Sequence, residues 1–249
     1  MPTLIQWTDE TWNPTTGCNK VSPGCKNCYA EKMHNRLMAM YPKKYKTPFL
    51  DGVQTHLHEL DKPKRWKQPK RIFVNSMSDL FHEDVEHSFI DLVFGVMMEC
   101  PHHTFQILTK RPETMLQYLR TRKQWRNGGV LPNVIVGTSA EDQTTYGKRS
   151  VAMFMVKNLG WKTMLSCEPL LKPIPYLLIK PGDVLEGVFD WIIAGGESGH
   201  KARHINPEAF RNIRDQCKEA NVPFFFKQWG AQQPGNELDG VQHLEFPKL

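Results

Sequence analysis

Six short apolar runs recur along this chain at intervals of 27 to 33 residues, and that beat restricts the fold more than any other feature. The runs are Arg71–Asn75, Thr104–Leu108, Asn133–Gly137, Thr163–Ser166, Asp190–Ala194 and Pro223–Lys227. Each is almost continuously apolar, as a parallel strand buried on both faces must be. The interval is the length of one strand–loop–helix unit. Helical periodicity fills the gaps. Val85, Phe89, Val93 and Val96/Met97 form one stripe, and Pro112 can begin a helix carrying Met115, Leu116 and Leu119. Lys148–Leu159 carries Val151, Met155 and Leu159, and Asn206-Pro207-Glu208 can start a helix bearing Phe210, Ile213 and Cys217. A further strand is expected within Thr11–Thr16. The pattern predicts an α/β fold, a parallel (βα) barrel of TIM type, partial or full, with about six to eight strands. One domain is expected over residues 1–249, with a basic insertion at about 40–70.

Every predicted strand ends in polar residues: Asn75-Ser76-Met77-Ser78-Asp79, Thr109-Lys110-Arg111, Thr138–Asp142, Ser166-Cys167-Glu168, Gly195-Gly196-Glu197-Ser198 and Lys227-Gln228-Trp229. In a barrel those ends share one face, where active sites sit. Helix capping accounts for Ser78, Asp142 and Ser198. It does not account for Lys110, Glu168, Glu197 and Lys227 directly after apolar strands, so a shared polar site is expected there.

Ahead of this frame stand Cys18, Cys25 and Cys28, spaced C-x6-C-x2-C. Three thiolates hold three corners of a metal site and leave one position open. A structural zinc normally wants four ligands. His34 is the nearest candidate, although a lone His on a helix surface needs no such role. A cubane cluster needs only three thiolates when a cofactor takes the fourth iron. Cys100, Cys167 and Cys217 lie in apolar surroundings and read as small buried hydrophobes.

No apolar run reaches membrane-spanning length and the first ten residues lack a secretory pattern, so a cytoplasmic chain with reduced thiols is expected. Residues 1–71 hold 13 Lys+Arg against 6 Asp+Glu, while the remainder is nearly balanced. The densest stretch, 62–71, embeds Trp66 among Lys and Arg. It reads either as a grip on nucleic acid or as a solvated loop with Trp66 packed on the barrel.

The cysteine triad after the first strand, Tyr29 beside its last member and the repeated βα units together resemble the radical S-adenosylmethionine superfamily. The whole chain more closely resembles the phage Gp37/Gp68-like family, a domain of unknown function. That match is carried by Trp7–Cys18, the cysteine loop, Ile72–Phe81, Leu108–Pro112, Ser166–Leu170, Gly195–Gly199 and Phe225–Gly230. The triad departs from the C-x3-C-x2-C of most radical S-adenosylmethionine enzymes, and its aromatic follows the last cysteine. The resemblance implies a 4Fe–4S cluster on Cys18, Cys25 and Cys28, with S-adenosyl-L-methionine on the unique iron. It also implies an external electron donor and a 5′-deoxyadenosyl radical that abstracts hydrogen from substrate. Asn75, Ser76, Gly195, Gly196 and Glu197 are then expected at the cofactor, the two glycines reading equally as a tight strand–helix turn. Lys110 and Arg111 are expected to receive a carboxylate or phosphate of a nucleic-acid, nucleotide or other phosphorylated substrate. Asp79, Glu168 and Lys227 are the candidates for proton transfer, although Glu168 and Lys227 fit a structural ion pair as well. The rival reading is a nucleic-acid-binding phage protein with a structural zinc or a non-catalytic cluster.

Overall fold

The computed structural model describes residue 3 and residues 5–122, 129–177, 187–230 and 235–248. Seven parallel strands form one sheet in strict chain order: β1 (Glu10–Trp12), β4 (Arg71–Val74), β5 (Thr104–Thr109), β6 (Val134–Ser139), β7 (Lys162–Cys167), β8 (Trp191–Gly195) and β9 (Phe224–Gln228). A ribbon of β2 (Thr15–Thr16) and β3 (Gln54–Thr55) leaves the β1 edge. The helices are α1 (Tyr29–Met40), α2 (His87–Glu99), α3 (Pro112–Thr121), α4 (Gln143–Asn158) and α5 (Glu208–Glu219).

Alternation within the strands separates two cores. Ile72, Val74, Phe105, Ile107, Val134, Val136, Leu165, Ile192, Ala194, Phe224 and Phe226 pack outward with α2 to α5. Ile135, Met164, Trp191, Ile193 and Phe225 point inward onto Trp7, with Phe73, Leu108 and Phe246 beside them. Side chains from strands on both sides of the sheet therefore meet inside it, and helices cover only the other face. The sheet is a curled partial barrel, with no ladder between β1 and β9. The chain's tail lies along β9: Phe226 N donates to His243 O at 2.9 Å, and Phe225 bridges Leu244 antiparallel. It also folds a short hairpin of β10 (Glu237–Leu238) and β11 (Val241–Gln242), while residues 231–234 lie outside the described residues. Paired tail residues cover what would otherwise be a bare sheet edge.

Two expectations need correction. Helix α4 exists, but Val151 and Met155 are 55% and 44% exposed. Its buried face is Tyr146, Arg149, Ser150, Ala152, Met153 and Val156, a stripe at i, i+3, i+4 and i+7 that begins at Tyr146, and Asp142 caps the helix ahead of it through a reciprocal box with Thr145. His34 is not a surface residue. It is 2% exposed between Tyr45 and Phe49, and its Nε2 pairs with Thr47 O at 2.8 Å. No helix of the described residues is long and apolar enough to cross a membrane.

Candidate active site

At the carboxyl ends of the strands lies a cavity of about 790 Å³, and Cys18, Cys25 and Cys28 all line it. Backbone stitching places the first. Gly17 has φ +89°, and a Cβ there would stand 2.2 Å from Gly52 O, so only glycine fits. Gly17 N donates to Met77 O at 3.2 Å, Ser78 Oγ donates to Gly17 O at 2.6 Å, and Cys18 N donates to Phe49 O at 2.9 Å. Pro23–Cys25 forms a 3-10 turn, and Cys28 directly precedes α1.

Side chains from distant loops hold the rest of the cysteine loop. Ser22 Oγ donates to Glu141 Oε1 at 2.6 Å, and Arg203 Nη2 donates to Pro23 O at 3.1 Å. Asn27 Nδ2 donates to Glu197 Oε2 and to Lys201 O, each at 3.0 Å. The cysteine loop, which follows β2, is thus tied to the loops after β6 and β8.

All six cysteines are free, and Cys100, Cys167 and Cys217 are buried as expected. Burial and the Asp79 carboxylate push the Cys18 thiol up to about 12, against the pull of Arg111, whose Nη1 lies 3.9 Å from the sulfur. Burial also raises Cys28, opposed by the Glu31 and Ala30 amides at the start of α1. Cys25 differs. Burial works against its thiolate, but Lys110, the Val21 and Ser22 amides and the Ser22 hydroxyl outweigh it and lower the pKa.

The remaining expected residues gather at the same face, and most are already engaged. Asp79 Oδ1 accepts from Thr109 Oγ1 at 2.7 Å and Phe81 N at 3.0 Å; its Oδ2 accepts from Lys110 N and Arg111 Nη1, each at 3.1 Å. Arg111 also reaches Glu83 at 2.8 Å, and Lys110 Nζ donates to Glu141. Both cations are therefore spent on carboxylates. Asn75, at φ +60°, spends its amide on Thr15, and Ser76 Oγ donates to Asn13 at 3.2 Å. Glu197 would be raised by burial, yet hydrogen bonds from Arg203 and Asn27 hold it near 2. At Gly196 a Cβ would meet Trp229 O at 1.8 Å, so backbone packing between β8 and β9 requires that glycine; Gly195 has room. Lys227 Nζ donates to Glu168 Oε1, and both line the cavity partly exposed.

Sequence reasoning missed Glu141, fully buried, which also takes Arg149 at 3.1 Å. It missed Ser22, Asn27 and Arg203 too. The only signal for Glu141 was its place in the polar cluster after β6. Among the described residues no three His, Cys, Asp or Glu side chains stand together as a metal-holding group.

No curated protein matches the chain. Among solved structures it is similar to a spore photoproduct lyase variant with AdoMet and dinucleoside spore photoproduct bound, at 12% identity over 85% of this chain and 62% of that one, TM-score 0.42. Another variant of that lyase gives a TM-score of 0.44 at 12% identity, over 85% and 62% of the two chains. The lyase complexed with dinucleoside spore photoproduct gives 0.41 at 13%, over 84% and 60%. The chain spans at most 62% of the length of these structures. A family model matches residues 2–247, under a designation other than the phage label the sequence suggested, and the chain belongs to that family, described as a protein of unknown function (DUF5131).

Proposed function

We propose that the chain is an iron–sulfur enzyme of radical S-adenosylmethionine type, with Cys18, Cys25 and Cys28 as the cluster ligands. The observation that carries this reading is that three free thiols, and no fourth uncommitted donor among the described residues, line one cavity at the strand ends. The donor set suits the group in kind and number, while in this structure the three thiols share the cavity without standing together as a metal-holding group. His34 does not line the cavity, while Asp79 and Glu197 are held by arginines and Glu168 by Lys227, so a closed four-ligand zinc site lacks its fourth member. Three thiolates with an open position suit a cluster that shares one iron with a cofactor. When bound, the cluster would supply an electron and that open position to S-adenosylmethionine.

The chain's own residues set the rest. Glu141, Glu197 and Arg203 hold the cysteine loop over the cavity, and Trp7 and Phe73 give the cavity an aromatic wall. Asp79 has both oxygens occupied and serves as a clamp. Glu168 and Lys227 share one contact at the cavity wall and are the pair suited to hold or pass a proton.

Anaerobic reconstitution with iron and sulfide, reduction and addition of S-adenosylmethionine tests the reading. Release of 5′-deoxyadenosine is expected, with loss in Cys18→Ala, Cys25→Ala and Cys28→Ala. A fully formed cluster that releases none would exclude it, as would stoichiometric zinc in freshly purified protein.

A further inference from the structure

We propose that the cysteine-loop rim of the cavity is a binding surface for single-stranded nucleic acid, and that the basic run 62–71 is not. Residues 17–50 hold seven Lys+Arg against one Asp+Glu, a net of +6, equal to the formal charge of the whole chain. They comprise the cysteine loop, α1 and the segment leading towards β3. Among the described residues, the exposed Lys26, Lys32, Arg36, Lys43, Lys46 and Lys201 form no ion pair, whereas Lys20 is held by Glu31 at 3.0 Å.

Their arrangement is specific. Tyr29, Lys32 and Arg36 recur at i, i+3 and i+7, which sets them in one stripe along α1. The neighbouring stripe, Ala30, Met33 and Leu37, lines the cavity. Tyr29 borders the cavity too and is 54% exposed. Lys32 Nζ comes within 3.1 Å of where a Cβ on Gly199 would stand, and Asn27 binds Lys201 O, so the stripe continues onto the loop after β8. Unpaired cations beside an exposed aromatic at the lip of a recess suit a strand whose phosphates run along the rim while a base stacks on Tyr29. A duplex would keep its bases stacked away from that ring.

The run 62–71 differs in place and in engagement, with only Arg65 and Lys67 both exposed and outside any ion pair among the described residues. It leads into the start of β4, and its Pro63 O accepts from His103 Nε2, beside the start of β5, so it occupies the rim opposite the cavity. Lys64 pairs with Glu99 and Asp61, Lys70 with Glu10 and Arg71 with Asp9, while Lys62 donates to Thr11 O. Trp66 is packed against the outer core.

The test is fluorescence anisotropy of the full chain with a labelled single-stranded oligonucleotide of about 12 nucleotides, across a salt series. It reads binding alone, so its outcome is separate from whether a cluster forms or S-adenosylmethionine is cleaved. The triple variant Lys32→Gln/Arg36→Gln/Lys201→Gln is expected to bind at least about tenfold more weakly near 0.1 M salt. Its log–log salt slope should be shallower by about 2, from roughly 0.7 per lost phosphate contact. Tyr29→Ala should weaken binding about tenfold with the slope unchanged. Lys64→Gln/Lys67→Gln should bind like the parent. All five substituted cations of the two sets are exposed, and thermal melting checks that the variants fold. Parent-like binding by the triple variant, loss of binding in Lys64→Gln/Lys67→Gln, or tighter binding to phosphatidylserine vesicles or polyglutamate than to the oligonucleotide would each overturn the proposal.

Discussion

Ser22 Oγ donates to Glu141 Oε1 at 2.6 Å, joining residues 119 positions apart. The same carboxylate takes Lys110 and Arg149 and stays charged, because those two cations outweigh the burial that opposes its charge. Gly24 completes the fit, since a Cβ there would lie 2.6 Å from Glu141. Glu141 is thus the post against which the middle of the cysteine loop is set.

Glu141→Gln keeps the shape and removes the charge, leaving Lys110 and Arg149 without a counterion. Breaking a buried pair from one side costs about 3–5 kcal/mol, and the partly exposed Lys110 places this case at the lower end. Chemical denaturation should show a loss of about 3 kcal/mol. Iron retained per chain after anaerobic reconstitution and desalting should fall. Ser22→Ala should lower iron retention with little effect on stability, because the cations keep their carboxylate. Unchanged stability in Glu141→Gln would show that the network does not hold the loop.

The adjacent glycines after β8 separate cleanly. Gly196→Ala drives a Cβ into the Trp229 carbonyl, while Gly195→Ala meets Lys227 Cβ at 3.4 Å. Backbone cannot yield as a side chain can, so Gly196→Ala should cost about 1–3 kcal/mol in a denaturant titration and Gly195→Ala well under half of that. Equal melting of the two variants would contradict the assignment.

These glycines show where sequence reading ends. The Gly-Gly pair was visible as a motif, but the cause of Gly196, the carbonyl of Trp229 just past β9, is a long-range contact that no local pattern encodes. The strands were legible because a parallel strand covered on both faces is an apolar run, and the run needs no partner to be seen. The three cysteines were legible by spacing. Lys110 and Arg111 were visible as charges after a strand, but not their neutralisation by Glu141, Asp79 and Glu83, residues 28 to 32 positions away. His34 followed the same rule: Tyr45 and Phe49 bury it from a segment that helical periodicity does not relate to α1.

The three thiols of the metal-free chain should alkylate in a fixed order. Cys25 has its pKa lowered by Lys110 and nearby amides, whereas burial raises Cys28 and pushes Cys18 up to about 12. The thiolate is the nucleophile, so Cys25 holds the largest reactive fraction at neutral pH. Limited iodoacetamide treatment followed by peptide mass mapping should find Cys25 modified first and Cys18 last. Lys110→Gln should slow Cys25 selectively. Modification of Cys18 ahead of Cys25 would contradict the electrostatic picture.

Acid should destabilise the fold through His56 before most carboxylates titrate. His56 is buried against Thr16 Oγ1 at 2.8 Å, and burial, then Lys44 and His58, lower its pKa from 6.5 to about 4, with Glu59 opposing. Between those values the unfolded chain binds a proton that the folded chain refuses. Stability from this group is therefore fully present above about pH 6.5 and is lost progressively as pH falls to about 4. At 1.36 kcal/mol per pH unit the loss amounts to at most about 3 kcal/mol. Urea titrations at half-unit steps should trace that decline in the parent. His56→Gln, which can still bond Thr16 but cannot titrate, should make the decline below pH 6.5 shallower by the His56 share, leaving that of His82 and His103, which burial also lowers, and the steeper fall below pH 4. A parent and variant with parallel curves across that window would mean that His56 is solvated in the folded chain and takes up its proton without cost.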